Sequence, residues 1–237
     1  MEDDSENEYT TCKVVLLGDA GVGKTSIISR YVTNTFSEVL MSTTGASFAT
    51  KKLDIDSEHK IKFQIWDTAG QERFRSLAKI FYQNAAVAVL VYDITRRESF
   101  EKLKDFWIKE LEENAPSDII LAIAANKSDS YESEVVSLKE GKELAKNINA
   151  IFKSTSAKLA HGIDDLFKAI GQKFFNLNPN NIEPNMTYKE EVFRKNIKIN
   201  NDQKGKNEVK KNVVDLLKLK IYYYKWIMQF ESLIHFK

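Results

Sequence analysis

Residues 18–25 read Gly18-Asp19-Ala20-Gly21-Val22-Gly23-Lys24-Thr25, after the apolar run 12–17 and before Ser26-Ile27-Ile28. The spacing G-x-x-x-x-G-K-[ST] between a strand and a helix turns successive backbone N–H groups toward one point, and the helix N-terminus behind them adds partial positive charge. A phosphate chain fits such a cradle, held by the segment from Asp19 through Ser26. Lys24 is placed to reach the terminal phosphates, and the Thr25 hydroxyl can ligate a magnesium ion accompanying a nucleoside triphosphate. Asp67, at the end of a later strand, has the type and place of a second magnesium anchor. Gly70 can bring its N–H against a terminal phosphate with no side chain in the way, and Gln71 can then hold a water. Asn126-Lys127-Ser128-Asp129 supplies the far end of such a ligand. The Asp129 carboxylate can accept from both N1–H and the exocyclic amine of guanine, whereas adenine offers an acceptor at N1. That favours GTP over ATP. Ser156-Ala157-Lys158 adds contacts near the same base.

These groups need a scaffold that gathers them. The segments 46–53 and 60–66 alternate or carry β-formers and are joined by a polar connector, which predicts a hairpin. Residues 86–92 and 119–125 are almost wholly apolar, the mark of central strands covered on both faces, and 151–153 is a short strand. Helices are expected to about Val32 from the glycine loop, from about Arg96 to before Pro116, and from Ser137 to about Ile148. Thr95-Arg96-Arg97-Glu98 and Ser137-Leu138-Lys139-Glu140 have the form of capping boxes. Ile163, Leu166, Phe167, Ile170 and Phe174 fall on one face of a last helix. Strands alternating with helices predict an α/β fold of the P-loop NTPase type, a mostly parallel six-stranded sheet with helices on both faces. Ligands then bind beyond the carboxyl ends of the strands, where the glycine loop, Asp67, Asn126 and Ser156 all fall.

The 237 residues carry a net charge of +1, which excludes bulk attraction to nucleic acid, and 43% are hydrophobic, enough for a sizeable core. Cys12 is the single cysteine, so no intramolecular disulfide forms, and no leader of the secretory kind opens the chain. A cytoplasmic location is expected. His59, His161 and His235 are too scattered to propose a zinc site.

Five motifs stand in order, the glycine loop, Thr43, Trp66-Asp67-Thr68-Ala69-Gly70-Gln71-Glu72, Asn126-Lys127-Ser128-Asp129 and Ser156-Ala157-Lys158, and on them the chain resembles the Ras-like small GTPases, and within them the Rab branch, over residues 13–174. The resemblance implies slow hydrolysis of GTP to GDP and phosphate, sped by an activating protein and reset by an exchange factor. It implies that Thr43 joins Thr25 and Asp67 around Mg²⁺ in the GTP state, that Phe36 packs edge-on against guanine, and that Gln71 orients the attacking water. Residues 43–48 and 67–76 look most like the early-endosomal Rabs, which implies vesicle and endosomal traffic through effectors of the GTP state. Thr44, Gly45, Phe48, Trp66 and Phe81 match the effector-facing positions, Phe48, Trp66 and Phe81 forming an aromatic triad that core packing alone could also explain. Thr44 stands where the family usually has isoleucine, and the Ala20 methyl stands where Ras relatives have glycine. No arginine is assignable as a finger in cis. Two alternatives stand beside this reading: a nucleotide-binding scaffold with negligible turnover, and a Ras-like GTPase working away from membranes. An ATP-driven P-loop enzyme is disfavoured by Asp129.

The chain divides on this reading into an acidic tail 1–9, a GTPase domain 10–176, a variable tail 177–212 and an amphipathic aromatic segment 213–237. Residues 1–8 hold five acids and no base, and residues 186–237 hold twelve Lys/Arg against six Asp/Glu. Neither prenylation nor N-myristoylation is expected, since no cysteine follows Cys12 and residue 2 is Glu2. Leu216, Leu219, Tyr223, Trp226, Phe230 and Leu233 share one helical face of the last segment, opposite Lys218, Tyr222, Lys225, Gln229 and Ser232. Three readings stay open for it: an interfacial membrane helix at the cytosolic face of endomembranes, a helix packed on the domain, or the product of an alternative transcript. The GTPase itself is expected to be a monomer.

Overall fold

The computed structural model describes residues 9–38, 43, 46–68 and 80–177. Six strands form one sheet: β1 (Thr10–Leu17), β2 (Ala46–Asp54), β3 (Lys60–Thr68), β4 (Val87–Asp93), β5 (Ile120–Asn126) and β6 (Ile151–Ser154). Their order is β2-β3-β1-β4-β5-β6. Only the β2–β3 hairpin is antiparallel; the pairs β1–β3, β1–β4, β4–β5 and β5–β6 are parallel. The connections are α1 (Lys24–Thr33), α2 (Arg97–Lys102), a π-helical stretch (Leu103–Ile108) running into α3 (Lys109–Asn114), α4 (Leu138–Asn147) and α5 (Ile163–Leu177).

Strand periodicity sorts the core into two layers. From β1, Val14 and Leu16 face Ile27, Ile28 and Tyr31 of α1 and Leu166, Phe167 and Ile170 of α5. Val15 and Leu17 face Phe100, Leu103, Trp107 and Leu111 on the other side. All seven β4 residues are buried, residues 87–92 as the apolar run of a central strand and Asp93 as the carboxylate that ends it. The Tyr31 and Phe167 rings stack at 3.8 Å between centroids, which locks α1 to α5. Burying one such ring contributes about 1.5–3 kcal/mol. Strand β1 has β3 on one side and β4 on the other, so the chain reverses its direction of travel across the sheet beside β1. The glycine loop begins at that reversal, the place where open α/β sheets bind their ligands.

The six-stranded α/β architecture, the hairpin and the Ser137 capping box match expectation. Ser137 Oγ accepts from Glu140 N at 3.3 Å while Glu140 Oε2 accepts from Ser137 N at 3.0 Å. Thr95 does not cap α2. Its N–H and hydroxyl both donate to Asp93 Oδ1, at 2.9 and 2.7 Å, so an Asx turn has consumed the group the cap would need. Arg96 takes the N-cap position without a side-chain cap. Asp67 lies within β3 and Asn126 closes β5, so neither follows its strand as expected, and Thr155 separates Ser156 from β6. The tails 1–8 and 178–237, with the segment 213–237, lie outside the described residues.

Candidate functional site

The glycine loop leaves β1 at Gly18 and enters α1 at Lys24. Gly23 is the N-cap of α1 with φ +96°, a backbone state disfavoured for residues with a Cβ. A Cβ there would also stand 2.3 Å from Asn126 Nδ2. Asn126 Nδ2 donates to Val22 O at 2.8 Å, which ties β5 to the loop. Lys24 is buried, and its Nζ donates to Gly18 O and Asp19 O at 2.9 Å each. Burial pulls the Lys24 ammonium down to about 8, against the opposing pull of Asp67 and Asp19, while Arg96 adds to the lowering. A bound polyphosphate would add negative charge beside this ammonium and offset its burial. Ala20, Gly21, Val22, Thr25 and Ser26 complete the turn around the space these donors face.

Three oxygens from distant elements meet beside it. Thr25 Oγ1 donates to Asp67 Oδ2 at 2.6 Å, and Thr43 Oγ1 lies 3.0 Å from Thr25 Oγ1 and 3.5 Å from the same carboxylate oxygen. A hydroxyl has a single proton, so a Thr25 that donates to Asp67 keeps its lone pairs for another group. Asp67 Oδ1 is buried with no hydrogen-bond partner, and burial pushes the carboxyl above its ordinary range. An orphaned carboxylate oxygen beside two hydroxyls is a donor set that suits a hard cation such as Mg²⁺. Among the described residues no cluster of three or more His, Cys, Asp or Glu offers a rival metal site.

The base end is assembled by β5, β6 and the turns after them. Lys127 has φ +64°, which turns the chain sharply after β5, and its Nζ pairs with Asp93 Oδ2 at 2.6 Å. Ser156 Oγ donates to Asp129 Oδ1 at 2.5 Å, fixing the carboxylate expected to read guanine. Thr155 Oγ1 donates to Asn126 Oδ1 at 3.2 Å. Arg30 Nε donates to Ala157 O at 2.8 Å, and its guanidinium lies 6.0 Å from the centroid of the half-buried Phe36 ring. Lys158 Nζ pairs with Glu38 at 2.9 Å, joining the segment after α1 to the base end.

A separate surface lies over β2 and β3. The Phe48 and Trp66 rings are 5.1 Å apart and the Trp66 and Phe81 rings 5.5 Å. Phe48 is 47% exposed and Trp66 only 5%, so the triad is a buried base with an exposed edge. Core packing thus accounts for Trp66 and leaves the exposed Phe48 edge accessible.

The structure thus gathers Asp19 to Ser26, Thr43, Asp67, Asn126, Lys127, Asp129 and Ser156 to Lys158 at one end of the sheet. Gly70, Gln71, Thr44 and Gly45 lie outside the described residues. Sequence reasoning missed Asp93, Thr155, Arg30 and Arg96 as supports. Asp93 was discoverable, because a lone carboxylate ending an apolar strand calls for a partner; the others are single polar residues with no spacing signal.

The chain was compared with known proteins. The Ras family model matches residues 13–176. The human Ras-related protein Rab-31 is 49% identical over 179 residues, covering 76% of this chain and 91% of that protein. The GTP-binding protein ypt5 of Schizosaccharomyces pombe is 47% identical over 162 residues, with 68% of this chain and 76% of that protein covered. Human Ras-related protein Rab-22A is 48% identical over 161 residues, 68% and 82% of the two chains.

Proposed function

This chain belongs to the Ras family and is a Rab-type small GTPase, and we propose that its switch runs on the site assembled above. It binds GTP and GDP, hydrolyses GTP, and works with exchange factors, activating proteins and effectors as such proteins do. The single observation carrying the site reading is the meeting of Thr25, Thr43 and Asp67 within 3.5 Å, because Thr43 belongs to neither the loop nor the strand. We assign Thr25, Thr43 and Asp67 to a Mg²⁺ ion, which when bound neutralises charge on the β- and γ-phosphates. Lys24 and the loop amides hold the phosphates, with Gly70 on the γ-phosphate side. Asp129 selects guanine, Asn126 braces the loop, Lys127 is held beside the base by Asp93, and Phe36 borders the base. Gln71 orients the attacking water. Release of the γ-phosphate frees Thr43, so an effector that reads Thr44 and Gly45 together with Phe48, Trp66 and Phe81 senses which nucleotide is bound.

For the finer biological setting we propose a monomeric switch in vesicle and endosomal traffic, acting at the cytosolic face of endosomal membranes, a reading that the similarity to Rab-31 and Rab-22A supports for the endosomal part. Among the described residues no helix is long and apolar enough to cross a membrane. The aromatic and basic pattern of residues 213–237 supports weak peripheral contact. Flotation of the full chain with anionic liposomes tests that contact, and loss of the chain from the floated fraction in every lipid mixture refutes it.

The central test is single-turnover hydrolysis of preloaded GTP. Gln71→Leu is expected to keep GTP affinity within about threefold and to slow hydrolysis at least about tenfold, since Gln71 meets the water and not the ground-state nucleotide. A parent that binds GTP without turnover makes the scaffold alternative the correct one.

A further inference from the structure

Arg96, just before α2, reaches back over the glycine loop. Its Nη2 donates to Ala20 O at 2.7 Å and lies 3.6 Å from Asp19 Oδ2, which also accepts from Lys102 Nζ at 3.2 Å. The Asp19 side chain is buried and thus braced by two cations from the α2 segment. The Arg96 backbone is pinned as well: its N–H donates to Asp93 O at 3.0 Å, and the buried Ser99 hydroxyl donates to Arg96 O at 2.7 Å. This frame is continuous with β4, so the aim of the guanidinium is set by the sheet. Arg96 Nε is buried without a partner, a cost the fold carries while the Nη atoms lie over the loop.

In a trans peptide the C=O and the following N–H point in opposite directions. Holding the Ala20 carbonyl outward therefore holds the Gly21 N–H inward, where the loop amides converge. Gly21 sits at φ +75° and has no Cβ to resist a flip of that peptide. An outside clamp is what the loop would otherwise lack. We propose that Arg96, oriented by Asp19, is a positioning residue that fixes the Ala20–Gly21 peptide and so sets how slowly nucleotide leaves. The inference rests on the glycine loop being the phosphate cradle.

The test is release of N-methylanthraniloyl-GDP from the full-length chain, chased with excess GDP at fixed Mg²⁺. Arg96→Ala is expected to speed release about tenfold, the size of one charge-assisted hydrogen bond. Arg96→Lys should recover part of the loss, because an ammonium can still donate to a carbonyl. Asp19→Asn should also speed release, and adding it to Arg96→Ala should bring little more, since the two act as a unit. Arg97→Ala removes the adjacent guanidinium, which pairs with Glu140 at 2.6 Å and not with the loop, and should release at the parent's rate. If Arg96→Ala does not fold, Arg96→Met keeps the apolar stem and gives the same readout. Parental release in the Arg96 variants, or equal acceleration by Arg97→Ala, overturns the proposal. A parent that fails to retain the probe overturns the cradle assignment, and this inference with it.

Discussion

The Thr25 hydroxyl lies 2.6 Å from Asp67 Oδ2 across 42 residues of sequence, joining the first turn of α1 to the end of β3. The contact orders both groups before any cation arrives, so little rearrangement is left for binding. Thr25→Val keeps the shape and removes the proton and both lone pairs. The variant is expected to need roughly tenfold more free Mg²⁺ for slow nucleotide release, a loss of the size of one hydrogen bond to a charged group. A Mg²⁺ titration of release superimposable on the parent's would exclude Thr25 as a ligand.

Base selection depends on the Asp129 carboxylate, held by Ser156 Oγ at 2.5 Å. Asp129→Asn places an amide where guanine presents two donors and xanthine presents one donor and one acceptor. Affinity for GTP should fall at least about a hundredfold, since an unmatched buried donor is costly, and xanthosine triphosphate should become the better competitor. GTP affinity equal to the parent's would remove Asp129 from the base site.

Much of this is legible in the sequence, for reasons that differ by element. The loop 18–25 was readable because its glycines and Lys24 are each demanded by backbone or phosphate geometry, and β4 because an unbroken apolar run has few other uses. Thr95 misled, since the residues of a capping box fit an Asx turn equally well and Asp93 two positions earlier decided between them. The π-helical stretch 103–108 left no mark in the sequence, as its apolar residues are compatible with either winding. Arg96 carries no spacing signal, because only the fold brings its guanidinium to the Ala20 carbonyl of the loop.

The capping box of α4 carries a pH signature. Glu140 accepts from Arg97, Ser137 N and Ser137 Oγ, and these bonds, Arg97 foremost, hold its carboxyl at about 2 against an ordinary 4.5. A depressed folded value means that the stabilisation is complete above about pH 4.5 and is lost as pH falls toward 2. Side-chain NMR should place the Glu140 midpoint near 2, and Glu140→Gln should lose that part of the acid sensitivity of unfolding. A midpoint near 4.5 would show that the Arg97 and Ser137 bonds do not persist in solution.

Two glycines separate a binding defect from a folding defect. At Gly23, φ of +96° already disfavours alanine by roughly 1–2 kcal/mol. The new Cβ would also press on Asn126 Nδ2 at 2.3 Å. That amide cannot swing aside freely, because Nδ2 serves Val22 O and Oδ1 serves Thr155, so relief on one side breaks a bond on the other. Gly23→Ala is therefore expected to lower unfolding stability by about 2–4 kcal/mol and to raise the nucleotide release rate by more than about tenfold. At Gly141, a Cβ would meet Tyr92 Oη at 2.4 Å and Phe152 at 2.7 Å, on the face of the sheet away from α1. Gly141→Ala should cost about 1–3 kcal/mol by overpacking while release stays at the parent's rate. Calorimetry paired with a release assay reads both quantities. If the two variants speed release in proportion to their lost stability, the Asn126 brace is ordinary packing and the loop has no dedicated support from β5.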